Sequence, residues 1–261
     1  MDLGLHGKVA LVLGAAGGLG AAIAASLAAE GADIALADID ATALRGIEAG
    51  IKKSGSKALA VPFDLANHAA MNASVSSVEV VFGEIDVLVN ITGGPPATPA
   101  AGQERAKWAE NFQTMVLSVI ALTDRVLPGM RRRKWGRIIT STSSGVVSPI
   151  PNLAISNALR LSLVGWSKTL AREVGRDGVT ANIVVPGRIA TNRVNYLDGQ
   201  KAKRENRSVQ EVAAESASSI PVGRYGEPVE YADVITFLAS ARASYINGST
   251  IRVDGGLITS I

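Results

Sequence analysis

Apolar runs of strand length alternate with longer segments of helical period along almost the entire chain, and this alternation restricts its fold more than any other feature. Lys8–Leu13, Ala32–Ala37, Lys57–Pro62, Asp86–Val89, Arg137–Ser141, Thr180–Val184 and Thr250–Val253 read as strands. Between them, Gly18–Glu30, Ala41–Ser54, Asn67–Phe82, Trp108–Arg133, Asn152–Gly175 and Glu227–Ser240 read as helices, with Asn67 as an N-cap. Strict alternation implies parallel strands joined by helical crossovers, with both faces of the sheet covered. Continuously apolar strands follow from that burial. The expectation is one α/β domain over residues 1–261: a doubly wound, seven-stranded parallel sheet with helices on both faces. One long stretch departs from the pattern. Gly187–Gly226 is polar, charged and rich in Ser and Ala, and long excursions beyond a strand end usually carry function.

Composition removes several classes of function. At 261 residues and 47% hydrophobic content, the chain has ample material for a large core. It has no cysteine, which excludes disulfides, iron–sulfur clusters and thiol catalysis. His6 and His68 are the only histidines and are far apart, so no metal site is expected. The formal charge is only +3. The cluster Arg131-Arg132-Arg133-Lys134 reads as a solvated helix end whose cations complement the dipole, and no nucleic-acid partner is expected. The N-terminus lacks the basic start and apolar run of a signal peptide. No apolar stretch approaches bilayer length, so a cytoplasmic protein without a membrane partner is expected.

The first strand runs straight into Gly14-Ala15-Ala16-Gly17-Gly18-Leu19-Gly20, and a helix follows. Glycines there permit a tight turn and let the backbone approach a pyrophosphate. The free N–H groups and positive end of the helix then face the phosphates. This strand–turn–helix setting marks Gly14, Gly18, Leu19 and Gly20 as dinucleotide-binding positions on a Rossmann-type sheet. Asp38 closes the second strand, where its carboxylate can accept from both adenosine ribose hydroxyls and would repel a 2′-phosphate. NAD is therefore expected over NADP. The bland alternative is a helix-capping Asp, a part that Asp40 could share.

With these residues placed, the chain resembles the short-chain dehydrogenase/reductase family over essentially its full length. Within the family it is most similar to the compact branch that includes the 3-oxoacyl-acyl-carrier-protein reductases. Gly14, Gly18 and Gly20 match the spaced glycines, although Leu13 replaces the usual Thr. Asp64-Leu65 resembles the pair that contacts adenine. Asp86-Val87-Leu88-Val89-Asn90-Ile91-Thr92-Gly93 is similar to the fourth strand and its N-N-A-G turn, altered here to N-I-T-G, which adds Asn90 and Gly93 to the cofactor set. Pro186-Gly187 followed by Thr191 resembles the nicotinamide clamp, and Val253-Asp254-Gly255-Gly256 the C-terminal signature. The resemblance implies strand order 3-2-1-4-5-6-7, ligands at the carboxyl ends of the strands, a substrate lid at about 188–226, and a homotetramer or homodimer.

The family's chemistry uses Ser, Tyr and Lys, with an Asn on the preceding long helix. Aligned on Gly136–Ser143, the Ser falls on Ser143, with Ser144 as an alternative. Thirteen residues on stands Ser156 in place of Tyr, and four further stands Arg160 in place of Lys. Met115 occupies the Asn position. Gly165–Ala171 continues in register, and Lys168 is an ordinary helix residue. A Ser hydroxyl is far less acidic than a Tyr phenol, and Arg keeps a charge without titrating. The candidate catalytic set is therefore Ser143, Ser156 and Arg160, with Arg160 also placed to hold the ribose. Another group or water must handle the proton. Asn157, Tyr196, Arg188, Asn192 and Arg193 are further candidates, the last three for an anionic substrate, while Gly93-Gly94-Pro95-Pro96 is expected to shape the pocket wall. Three functions follow: an NAD(H)-dependent oxidoreductase with a rewired proton path acting on a small molecule, a non-redox enzyme on the same scaffold, or a catalytically silent dinucleotide-binding subunit.

Overall fold

The computed structural model describes residues 1–261, apart from the side chain of His68. Seven strands form one parallel sheet: β1 (Val9–Leu13), β2 (Asp33–Asp38), β3 (Ala58–Pro62), β4 (Val87–Asn90), β5 (Gly136–Ser141), β6 (Val179–Pro186) and β7 (Thr250–Val253). Their order is β3-β2-β1-β4-β5-β6-β7, and every pairing is parallel. The winding therefore reverses between β1 and β4, which opens a crevice at the carboxyl ends of those strands.

The sheet owes its two-sided burial to the period of two in the strands. In β1, Ala10 and Val12 enter a core packed against α1 (Gly18–Ala29) and α9 (Pro228–Ala239), through Ile23, Leu27, Ile235 and Leu238. Val9, Leu11 and Leu13 enter the opposite core, against α3 (His68–Phe82), α5 (Ser118–Arg132) and α6 (Ala154–Val174). Local chemistry starts the helices. Asp40 accepts from Thr42 N–H and Ala43 N–H and caps α2 (Ala41–Lys53). Asn67 accepts from Ala70 N–H and caps α3, as its sequence position suggests.

Two segments differ from the expected pattern. The long helix before β5 is not uniform: α4 (Arg105–Phe112) passes into α5 through a π-helical stretch, Gln113–Leu117, which contains Met115. Gly187–Gly226 is not structureless but contains α7 (Asn192–Glu205) and α8 (Val209–Ser218). This excursion is pinched at its base, where Ile189 bridges Gly226, Ala190 N–H donates to Gly226 O at 2.8 Å and Gly226 N–H donates to Arg188 O at 2.9 Å.

The basic cluster at the end of α5 is paired rather than merely solvated. Arg131 and Lys134 bond Asp177, while Arg132 and Arg133 bond Glu84. Among the described residues no helix is long and apolar enough to cross a membrane, and no three or more metal-ligating side chains cluster.

Candidate functional site

The carboxyl ends of the strands open onto one cavity of about 1130 Å³, to which Leu13, Asp38, Ile91, Ser141 and Pro186 each contribute from a different strand or strand end. The glycine turn forms one wall. Gly14 takes φ +63°, and a Cβ on it would lie 2.8 Å from Ile91 O. A Cβ on Gly20 would lie 2.2 Å from Gly14 O. Side chains are excluded at both points by backbone, which gives way far less readily than a side chain. The N-cap of α1, Gly17, offers no side-chain cap, and its first turn has no acidic residue. The N–H groups at this helix end are thus left to an external acceptor. This cradle fits a dinucleotide pyrophosphate.

The other sequence-derived cofactor positions converge here, with one exception. Asp38 is tied to the turn, its Oδ2 accepting from Ala16 N–H at 3.1 Å and its Oδ1 from Asp40 N–H at 3.2 Å. Asp40, not Asp38, caps α2. Gly18, Leu19, Asp64, Leu65, Gly93, Gly187 and Thr191 all line the cavity. Thr191 caps α7 by accepting from Val194 N–H, and its methyl carbon would lie 3.1 Å from a Cβ on Gly18. The start of α7 is thereby packed on the glycine turn. The exception is Asn90, which is 1% exposed, does not line the cavity, and instead donates from Nδ2 to Thr140 Oγ1 at 3.3 Å, tying β4 to β5.

Ser143, Ser156, Arg160 and Met115 line the same cavity. Ser143 follows β5, and its Oγ accepts from Gly145 N–H at 3.2 Å. Ser156 lies in the first turn of α6 and its hydroxyl bonds no other described residue. Arg160, one turn on, is 7% exposed. Its Nη2 donates to Thr92 O and Gly93 O, both at 2.9 Å, and its Nη1 donates to Thr92 Oγ1 at 3.4 Å. Burial pushes its pKa down to about 10; the nearby charge of Arg193 adds to the lowering and Tyr231 opposes it.

The remaining candidates separate. Arg188 donates to Asp198 Oδ1 at 2.6 Å, so its charge is already matched. Tyr196 stacks under Arg193 and does not line the cavity. Asn157 is also outside it, its Nδ2 donating to Ile150 O. Lys168 is exposed and donates to Gly248 O, as an ordinary helix residue. Asn192 and Arg193 do line the cavity.

One contributor escaped the sequence reading, and a buried tyrosine stands behind the site. Thr92 is the principal partner of Arg160, and each stands where the resemblance implies another residue; pairing the two was the available signal. Tyr231 on α9 is fully buried, with its phenol 2.7 Å from Ser141 Oγ and donating to Val184 O at 3.3 Å. Burial raises its pKa, the opposite of what a proton-donating phenol needs, and it does not reach the cavity.

The fold is that of a known family. A family model described as Enoyl-(Acyl carrier protein) reductase matches residues 14–258, and the chain belongs to the short-chain dehydrogenase/reductase family. Among its relatives, the 3-oxoacyl-acyl-carrier-protein reductase FabG of Vibrio cholerae is 34% identical over 257 residues, covering 98% of this chain and 99% of that protein. The FabG of Haemophilus influenzae is 35% identical over 259 residues, covering 98% and 100%. Among solved structures, the L-sorbose reductase of Gluconobacter frateurii complexed with NADPH and L-sorbose superposes with a TM-score of 0.94 at 33% identity, covering 100% of both chains. An actinorhodin polyketide ketoreductase with NADPH gives 0.92 at 29% identity, covering 96% and 97%.

Proposed function

We propose that the chain binds a nicotinamide dinucleotide in this cavity and serves hydride transfer between it and a carbonyl or secondary alcohol. The observation that carries the reading is the side-chain-free cradle made by Gly14 and Gly20, beside an uncapped α1 N-terminus. The family and its NADPH-bound neighbours support it.

Those neighbours weigh towards NADP, against the expectation from Asp38. In this chain the Asp38 carboxylate closes β2 beside the glycine turn, with no arginine or lysine in the turn to balance a 2′-phosphate. Its own residues therefore favour NAD(H). Asp64 and Leu65 take the adenine side, and Pro186, Gly187 and Thr191 hold the carboxamide side.

The bound dinucleotide supplies the hydride. Ser143 accepts from Gly145 N–H and so keeps its own hydrogen for the substrate oxygen. Ser156 is a second, uncommitted hydroxyl where a Tyr would stand. Arg160 supplies fixed positive charge, and being held by Thr92 and Gly93 it orients the loop at the end of β4 rather than shuttling a proton. The proton that completes reduction comes from water admitted to the cavity. The excursion at 188–226 serves as a lid, and the chain assembles as a homodimer or homotetramer through exposed apolar residues such as Phe112, Leu117 and Leu161.

Titration with NADH and NADPH by fluorescence, followed by assay of a ketone and alcohol panel with wild type and Ser156→Tyr/Arg160→Lys, tests this reading. Turnover by wild type is expected. Binding with activity only in the double variant would mean a silent subunit, product without a change in NADH absorbance would mean non-redox chemistry, and failure to bind either nucleotide overturns the proposal.

A further inference from the structure

Arg160 and Arg193 come together across the cavity wall although 32 positions separate them in the chain. Arg193 Nη2 and Arg160 Nη2 lie 3.2 Å and 3.6 Å from the single point where a Cβ on Gly94 would stand. Both line the cavity. Arg160 is 7% exposed, whereas Arg193 is exposed to solvent and only its bond to Pro95 O is partly buried. Neither meets a carboxylate among the described residues: Arg160 bonds only Thr92 and Gly93, while Arg193 bonds Pro95 O at 2.8 Å and stacks on Tyr196 at 5.5 Å. The contrast lies one turn of chain away, where Arg188 is matched by buried Asp198.

Two guanidiniums side by side repel each other, and the buried one, Arg160, loses hydration that backbone carbonyls only partly restore. Burial lowers the pKa of both, and the charge of Arg193 lowers that of Arg160 further. An anion between them relieves both costs. Pro95 O takes only one of the two Nη2 hydrogens of Arg193, so the other, with Nε or Nη1, leaves one fork edge for a planar, two-oxygen acceptor. The dinucleotide's own pyrophosphate is accounted for at the α1 N-terminus.

We propose that the Arg160–Arg193 pair beside Gly94 binds the carboxylate of the substrate, so that the chain acts on a keto acid or hydroxy acid rather than on a neutral ketone or sugar. This rests on the dinucleotide reading for the reaction but not for the binding. The carboxylate is held by charge-assisted hydrogen bonds from the Arg193 fork, while Arg160, committed to Thr92 and Gly93, adds fixed positive charge beside it, and the carbonyl to be reduced lies on the same molecule, towards Ser143 and Ser156.

The test is calorimetric titration of acetoacetate, levulinate and 2-oxobutyrate, each against its methyl ester, into wild-type protein with and without saturating NADH. At least one acid is expected to bind about tenfold or more tightly than its ester. Arg193→Met should remove that preference while leaving NADH binding intact, and Arg193→Lys should restore part of it. Arg193 is the variant of choice because Arg160 is packed in the wall and its loss risks the fold. Acid and ester binding equally, no acid binding at all, or a preference that survives Arg193→Met overturns the proposal. Inorganic phosphate binding more tightly than every acid would also overturn it, since the site would then be a phosphate site. Loss of NADH binding in wild type would overturn the cofactor reading alone, because the acid and ester titrations without NADH still report on the arginine pair.

Discussion

At the scale of single residues, the cradle turns on two glycines and a carboxylate. A Cβ on Gly20 would stand 2.2 Å from Gly14 O, so Gly20→Ala must push the turn apart. Its NADH affinity should fall by about tenfold or more in fluorescence titration. Asp38→Ser removes the charge at the end of β2, and the ratio of NADPH to NADH affinity should rise. An unchanged ratio would show that Asp38 does not discriminate. Arg160 supplies a third prediction. With its pKa pushed down to about 10, it stays charged through pH 9, and Arg193 and the Tyr231 phenol are the titratable groups facing it. Affinity for an acidic substrate should be flat from neutral pH to 9 and decline as pH approaches 10, read by titration across that range. Because the folded-state pKa is lowered, burial of the charge costs stability below pH 10, and that cost is relieved above it as the folded protein releases the proton before the unfolded chain does. The glycine turn that walls the cavity was legible in the sequence because the constraint on Gly20 is set by Gly14 only six residues away. Arg160's role was not, because its partners Thr92 and Gly93 lie on another strand's loop, and only the fold brings them under its guanidinium. Asn90 fell on the wrong side for a related reason: the register of β4 directs it to Thr140, inside the sheet.

At the scale of elements, the period of the apolar residues identified strands and helices but not the character of one helix. Gln113–Leu117 is π-helical, and a single widened turn shifts the apolar stripe by too little to register in a sequence pattern. The excursion after β6 misled for the opposite reason. α7 is strongly polar and α8 has only 10 residues, so they lack the broad apolar face that marks a core helix. Their ends carry the signal instead. Ser208 caps α8, accepting from Glu211 N–H while Glu211 bonds back to Ser208 N–H. Ser208→Ala should speed amide hydrogen exchange in Val209–Ser218 about fivefold and leave the sheet strands unchanged. Equal acceleration throughout the molecule would show that α8 does not open independently.

At the scale of the whole molecule, the alternation of strand and helix was enough to establish a parallel, doubly wound sheet, because each parallel pairing demands a crossover. Strand order came from the family resemblance, and the seven-stranded sheet has that order. Ligand binding should register on the entire fold. NADH at a hundred times its dissociation constant should stabilise the chain by about 2.7 kcal/mol, seen as a raised midpoint in thermal unfolding. Gly20→Ala should lose that rise at the same nucleotide concentration. Light scattering after size exclusion gives the assembly state, and a monomer would remove the homo-oligomer reading.

The pinch between Ile189 and Gly226 has a consequence for how such a chain diversifies. The excursion leaves and rejoins the body at one place, held by Ala190 N–H to Gly226 O and Gly226 N–H to Arg188 O. Main-chain hydrogen bonds make that closure, and Arg188 at its base reinforces it by pairing with Asp198 and stacking on Tyr225, so those two partners must be kept while the other side chains between the ends can vary. Residues 190–225 therefore behave as an exchangeable cassette. Arg193 and its anion preference travel with the cassette, whereas Arg160 and the glycine turn stay with the chassis. A chimera carrying the corresponding segment of a neutral-substrate relative, with Thr191 retained, should keep its nucleotide and change what it is offered.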